Sequence, residues 1–86
     1  MDFKGRRVLV VGGAGYVGSV VTSMLLDAGA EVRVLDQLIY DNGFALQHLL
    51  DHERLSLLRG DLCDAATFAA AAAGVSDVIL LASLVG

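Results

Sequence analysis

Eighty-six residues, 56% of them hydrophobic, with no proline and a formal charge of −4, allow one compact unit at most. The 6 basic residues are scattered along the chain, which argues against a nucleic-acid partner. No apolar run reaches the roughly 18 residues of a membrane span. The run Val8–Val11 is also too short for a signal-peptide core, so a soluble, cytoplasmic protein with no membrane partner is expected.

The first predicted element is a strand over Arg7 to Gly12, a continuous apolar run of the kind covered on both faces of a parallel sheet. Directly after it comes Gly12-Gly13-Ala14-Gly15-Tyr16-Val17-Gly18. Glycines let a backbone turn sharply and come close to a pyrophosphate, while the free N–H groups and positive end of a following helix face its charge. Val17, Val20, Val21, Met24, Leu25 and Ala28 recur at helical spacing, and Gly29 supplies the stop. Strand, glycine turn and helix together form the expected seat of an adenine dinucleotide.

Glu31 to Asp36 reads as a second strand ending in a carboxylate. Asp36 stands 24 residues after Gly12 and 18 after Gly18, close to the roughly 20-residue spacing at which an acid reaches the adenosine ribose. A carboxylate accepts from both ribose hydroxyls and repels a 2′-phosphate, so NAD is expected in preference to NADP. No Arg or Lys lies in the glycine turn or in the ten residues after Asp36 to offset that repulsion. Gln37 is the neighbouring residue whose neutral amide would tolerate a phosphate.

Asp41-Asn42-Gly43 marks a turn or helix cap, and Phe44, Leu46, Leu49 and Leu50 support a short helix. Tyr40 and Asn42 border either the cofactor or the substrate cleft. His48 and His52 share the i, i+4 spacing of a metal pair, but with no third ligand in the pattern a solvated helix face is preferred and no metal is expected. Leu55 to Arg59 is the third strand and Gly60-Asp61-Leu62 ends it. Asp64 is placed to cap a helix over Ala65 to Ala73 that Gly74 closes. The alanines of that helix suit close packing on a sheet. Cys63 is the single cysteine, which forbids an internal disulfide. It has no basic neighbour to activate it, so no nucleophilic role is assigned.

Asp77 to Ala82 reads as a buried fourth strand. Strands alternating with helices predict an α/β fold, a Rossmann-type doubly wound parallel sheet of strand order 3-2-1-4. Its ligand crevice falls at the carboxyl ends of the first and fourth strands. A mean hydropathy of +0.68 exceeds what a free-standing domain of this size needs. The chain is therefore expected to be the N-terminal part of a larger protein that covers it, with the rest of the domain and a substrate lobe elsewhere.

The glycines parse in two registers. Gly13-x-Gly15-x-x-Gly18 fits the general dehydrogenase fingerprint and Gly12-x-x-Gly15-x-x-Gly18 the short-chain pattern. The glycine turn, Val34-Leu35-Asp36, Arg59-Gly60-Asp61-Leu62 and Val78-Ile79-Leu80-Leu81-Ala82, in that order, resemble the extended short-chain dehydrogenases/reductases. The resemblance is to their NAD-dependent epimerase/dehydratase group acting on nucleotide sugars, and it runs from about Arg7 to Gly86. It implies that Gly12 and Gly15 shape the turn, Gly18 allows close helix packing, and the amides of Tyr16 and Val17 meet the pyrophosphate. It further implies that Asp36 takes the ribose hydroxyls, Asp61 the adenine amino group and the Leu62 backbone the ring edge, with Leu81, Ala82 and Ser83 lining the crevice. A nucleotide-sugar substrate, NAD held through the turnover and a homodimer are implied with them.

Two positions depart from the family pattern: Val11 stands where the family often has Thr, and Leu80 where it often has His. The larger departure is chemical. The family's chemistry resembles proton transfer by a Tyr made acidic by a Lys four residues later and by the oxidised nicotinamide. Here Val20 follows Tyr16 at that distance, Phe44 follows Tyr40, and the only lysine is Lys4. No catalytic residue is assigned in this chain. The alternatives are a net dehydrogenase or reductase of the same superfamily acting on a steroid-like or flavonoid-like alcohol, and a non-catalytic dinucleotide sensor.

Overall fold

The computed structural model describes residues 2–12, 16–36, 52–61 and 63–81, apart from the side chain of Tyr16. The elements in chain order are β1 (Arg7–Val11), α1 (Tyr16–Asp27), β2 (Glu31–Asp36), β3 (Leu55–Arg59), α2 (Ala65–Ala72) and β4 (Asp77–Leu80). The helix expected over Phe44 to Leu50 lies outside the described residues.

The four strands are parallel and ordered β3-β2-β1-β4. β1 is central and apolar on both faces because both faces are covered: Val8, Leu9, Val10 and Val11 are at most 2% exposed. Alternation along the strands sorts the core into two layers. Val8, Val10, Val32 and Val34 pack with Leu25 and Leu26 of α1. Leu9, Val11 and Leu35 pack with Ala71 of α2. Among the described residues α1 covers one face and α2 the other, so the sheet is doubly wound, a Rossmann-type arrangement.

The helix ends follow local chemistry. α1 closes in a Schellman turn: Gly29 N–H donates to Leu26 O at 3.0 Å and Ala30 N–H to Leu25 O at 3.0 Å. Gly29 takes φ +99° there, a conformation costly for a residue with a Cβ. Asp64 caps α2, its Oδ1 accepting from Ala66 N at 3.0 Å and Thr67 N at 3.2 Å.

Two expectations change. Val17, Val20 and Met24 are not core but an exposed stripe, 64%, 45% and 66% accessible. α1 instead meets the sheet through Thr22, Leu25 and Leu26, with Gly18 and Ser19 also buried. Small residues in the first turns bring the helix near the strands, which rotates the larger valines outward. β4 is likewise buried on one face alone. Ile79 packs against the α1-side core, while Val78 and Leu80 on the other face are 50% and 55% exposed.

Candidate functional site

The carboxyl ends of the strands share one edge of the sheet, and the strand order reverses between β1 and β4. Gly12 follows β1 with φ +83°, which only a residue without a Cβ adopts cheaply. Its N–H donates to Leu35 O at 2.8 Å, so the turn begins one residue from the carboxylate that ends β2. On the other side Leu81 N–H donates to Val11 O at 2.8 Å, and Gly60 N–H reaches Asp36 O at 3.4 Å. These three bonds extend the ladder past the strands and hold four chain ends in one row.

α1 starts at Tyr16, placing its first turn just beyond Gly12. The N–H groups of Tyr16 and Val17 belong to that turn, whose amides lack acceptors within the helix. Gly18 is buried. Asp36, the last residue of β2, is half-buried and already has polar company. Asp61 is exposed. Its Oδ1 accepts from Cys63 N at 2.9 Å and its carbonyl from Asp64 N at 3.0 Å. Leu81 turns its side chain toward the Val8 and Val10 layer while its backbone closes on β1. Gly15, Gln37, Leu62, Ala82 and Ser83 lie outside the described residues, as do Tyr40, Asn42 and His48. His52 uses Nδ1 to accept from Arg54 N at 3.2 Å, and no three metal-ligating side chains come together among the described residues.

One residue was not legible from spacing along the chain. Arg59 is the in-register partner of Asp36 across β2 and β3, so a cation does stand beside the acid. The signal lay in the pairing of two strand ends, not in the residues that follow Asp36.

A cavity of about 200 Å³ opens at the opposite, amino end of the strands, between Arg7, Glu31, Arg33, Glu53 and Arg54. Its arginines are already engaged. Arg7 pairs with Glu31 at 3.1 Å, and Arg33 and Arg54 donate to helix carbonyls. It is a seam between capped helix ends, and it faces away from the glycine turn.

A doubly wound parallel sheet with a positive-φ glycine after its first strand and an acid ending its second defines a Rossmann-type dinucleotide fold. The chain belongs to the NAD dependent epimerase/dehydratase family, which matches residues 8–86. It is 39% identical over 79 residues to the 3 beta-hydroxysteroid dehydrogenase/Delta 5-->4-isomerase of Mycobacterium tuberculosis, covering 92% of this chain and 20% of that protein. It is 36% identical over 59 residues to UDP-glucuronic acid decarboxylase 1 of Danio rerio, covering 69% of this chain and 14% of that protein. Among solved structures, the epimerase Mth375 of Methanothermobacter thermautotrophicus superposes with a TM-score of 0.82 at 33% identity, over 94% of this chain and 24% of that one. The chain thus spans 20% and 14% of the length of these two curated relatives.

Proposed function

We propose that this chain is the NAD-holding part of a larger cytoplasmic, homodimeric enzyme that epimerises or dehydrates a nucleotide sugar. One observation supports it most: the Gly12 N–H bond to Leu35 O, 2.8 Å long, sets the glycine turn beside the strand that ends in Asp36. In this reading the turn and the first amides of α1 hold the pyrophosphate, Asp36 the adenosine ribose, and Asp61 with Leu62 the adenine. Bound NAD supplies a hydride acceptor at a sugar carbon. The chain's own residues bind and orient it, and the groups that move the proton lie in the rest of the enzyme. The likeness to UDP-glucuronic acid decarboxylase 1, a protein named for a nucleotide-sugar substrate, supports the substrate class.

A second reading has its own support. The hydroxysteroid dehydrogenase/isomerase matches 92% of this chain, more than the decarboxylase does, and favours net oxidation of a steroid-like alcohol by the same nucleotide-binding half. The fate of the cofactor separates the two. NAD that copurifies with the intact enzyme and survives dialysis supports the epimerase or dehydratase. A freely exchanging cofactor and stoichiometric NADH supports the dehydrogenase. Both require the glycine turn, so calorimetry of the intact protein tests the common ground. Gly15→Val is expected to weaken NAD at least tenfold by obstructing backbone approach, and unchanged affinity would show that the site is elsewhere.

A further inference from the structure

We propose that Arg59 sets the cofactor preference of this crevice: its guanidinium offsets the charge of Asp36, so that the gap between NAD and NADP is narrower than Asp36 alone would make it. This rests on the reading of Asp36 as the ribose-binding acid.

β2 and β3 run parallel with Val32 opposite Leu55, Val34 opposite Leu57 and Asp36 opposite Arg59. Residues in register on neighbouring strands, about 4.8 Å apart, share a face of the sheet. The rows Val32-Val34 and Leu55-Leu57 both belong to the α1-side core. Asp36 and Arg59 continue those rows to the strand ends, where the face turns from apolar to charged. Asp36 is half-buried and Arg59 exposed, so the acid sits inward and the cation at the rim.

The backbone at this corner is held on both sides. Gly60 N–H reaches Asp36 O at 3.4 Å, and Gly60 lies so close to α2 that an added Cβ would stand 2.4 Å from Thr67 Cγ2. The end of β3 therefore has little freedom to carry Arg59 away from Asp36. Neither residue is without an interaction partner, and it is the permanent charge of Arg59 that matters. A guanidinium stays protonated under all ordinary conditions, and its forked donors match a phosphate. A 2′-phosphate brought to Asp36 therefore meets a pair of charges close to neutral in sum.

The test is calorimetry of the intact protein with NAD and NADP, on the natural sequence and on Arg59→Gln, Arg59→Lys and Asp36→Asn. Arg59→Gln is expected to raise the preference for NAD over NADP about tenfold, the scale of one lost charge-assisted contact, with NAD affinity changed less than about threefold. Arg59→Lys keeps the charge and is expected to stay near the natural ratio, which excludes a purely structural effect. Asp36→Asn is expected to shift the ratio toward NADP. A ratio that Asp36→Asn moves and Arg59→Gln does not overturns the role of Arg59 and spares that of Asp36. A ratio that neither moves overturns both.

Discussion

Gly60 and Thr67 meet where β3 turns into α2, and the fit leaves space for a hydrogen atom on Gly60 but not for a methyl group. A Cβ there would stand 2.4 Å from Thr67 Cγ2 and 3.4 Å from Leu35 Cδ1. Gly60→Ala should destabilise the intact protein by about 1–3 kcal/mol through overpacking. Thr67→Ser, which removes the obstructing methyl, should restore most of that loss. Denaturant melts of the two single variants and the double variant check this, and independent, additive losses would refute the contact. In the sequence Gly60 reads only as a strand terminator, because its need for space comes from a helix that packs across it. Asp36 as a strand end and Asp64 as a helix cap were legible for the opposite reason: each stands at an element end marked by its own neighbours. Arg59 was not, since only strand register sets it beside Asp36.

At the scale of the elements, α1 and α2 have no basic residue in their last turns, and each borrows one from the sheet or its approaches. Arg54, just before β3, donates to Leu26 O at 2.8 Å at the end of α1. Arg33 on β2 donates to Ala71 O at 2.6 Å and Ala73 O at 3.1 Å at the end of α2. Such cations answer the unpaired carbonyls and the negative end of the helix. Arg33→Met keeps much of the stem and removes the donors, so a loss of about 1–2 kcal/mol is expected, read from thermal melts. α1 offers the reverse case. Thr22 is fully buried and its hydroxyl has no hydrogen-bond partner among the described residues. Thr22→Val should therefore be neutral or stabilising by up to about 1 kcal/mol; a clear loss would reveal a partner for that hydroxyl. The helical period of α1 was plain in the sequence, but its buried face was not. Val17, Val20 and Met24 have the hydrophobicity of core residues, yet the close approach of the smaller Gly18, Ser19 and Thr22 decides which side meets the sheet.

Across the whole molecule, the strand order was legible because each element is continuous in sequence and right-handed crossovers leave few ways to connect them. How fully the sheet is covered was not legible, because an apolar strand reads the same whether or not a helix lies on it. Val78 and Leu80 form an apolar row on β4, 50% and 55% exposed, beside an edge with unpaired backbone groups among the described residues. Such an edge invites strand-to-strand association. A polypeptide of residues 1–86 expressed by itself should therefore be catalytically inert and self-associating, and Leu80→Lys should shift it toward monomer by placing a charge on the exposed row. NAD should not rescue the unsubstituted polypeptide. A ligand at 100 times its dissociation constant contributes about 2.7 kcal/mol, whereas covering two or three large apolar side chains contributes roughly 1.5–3 kcal/mol each. Sedimentation velocity with and without NAD, on the polypeptide and its Leu80→Lys variant, measures this directly. A monomer that melts cooperatively without the substitution would show that the four-strand unit is self-sufficient, and would strengthen the case for a small binding module over part of an enzyme.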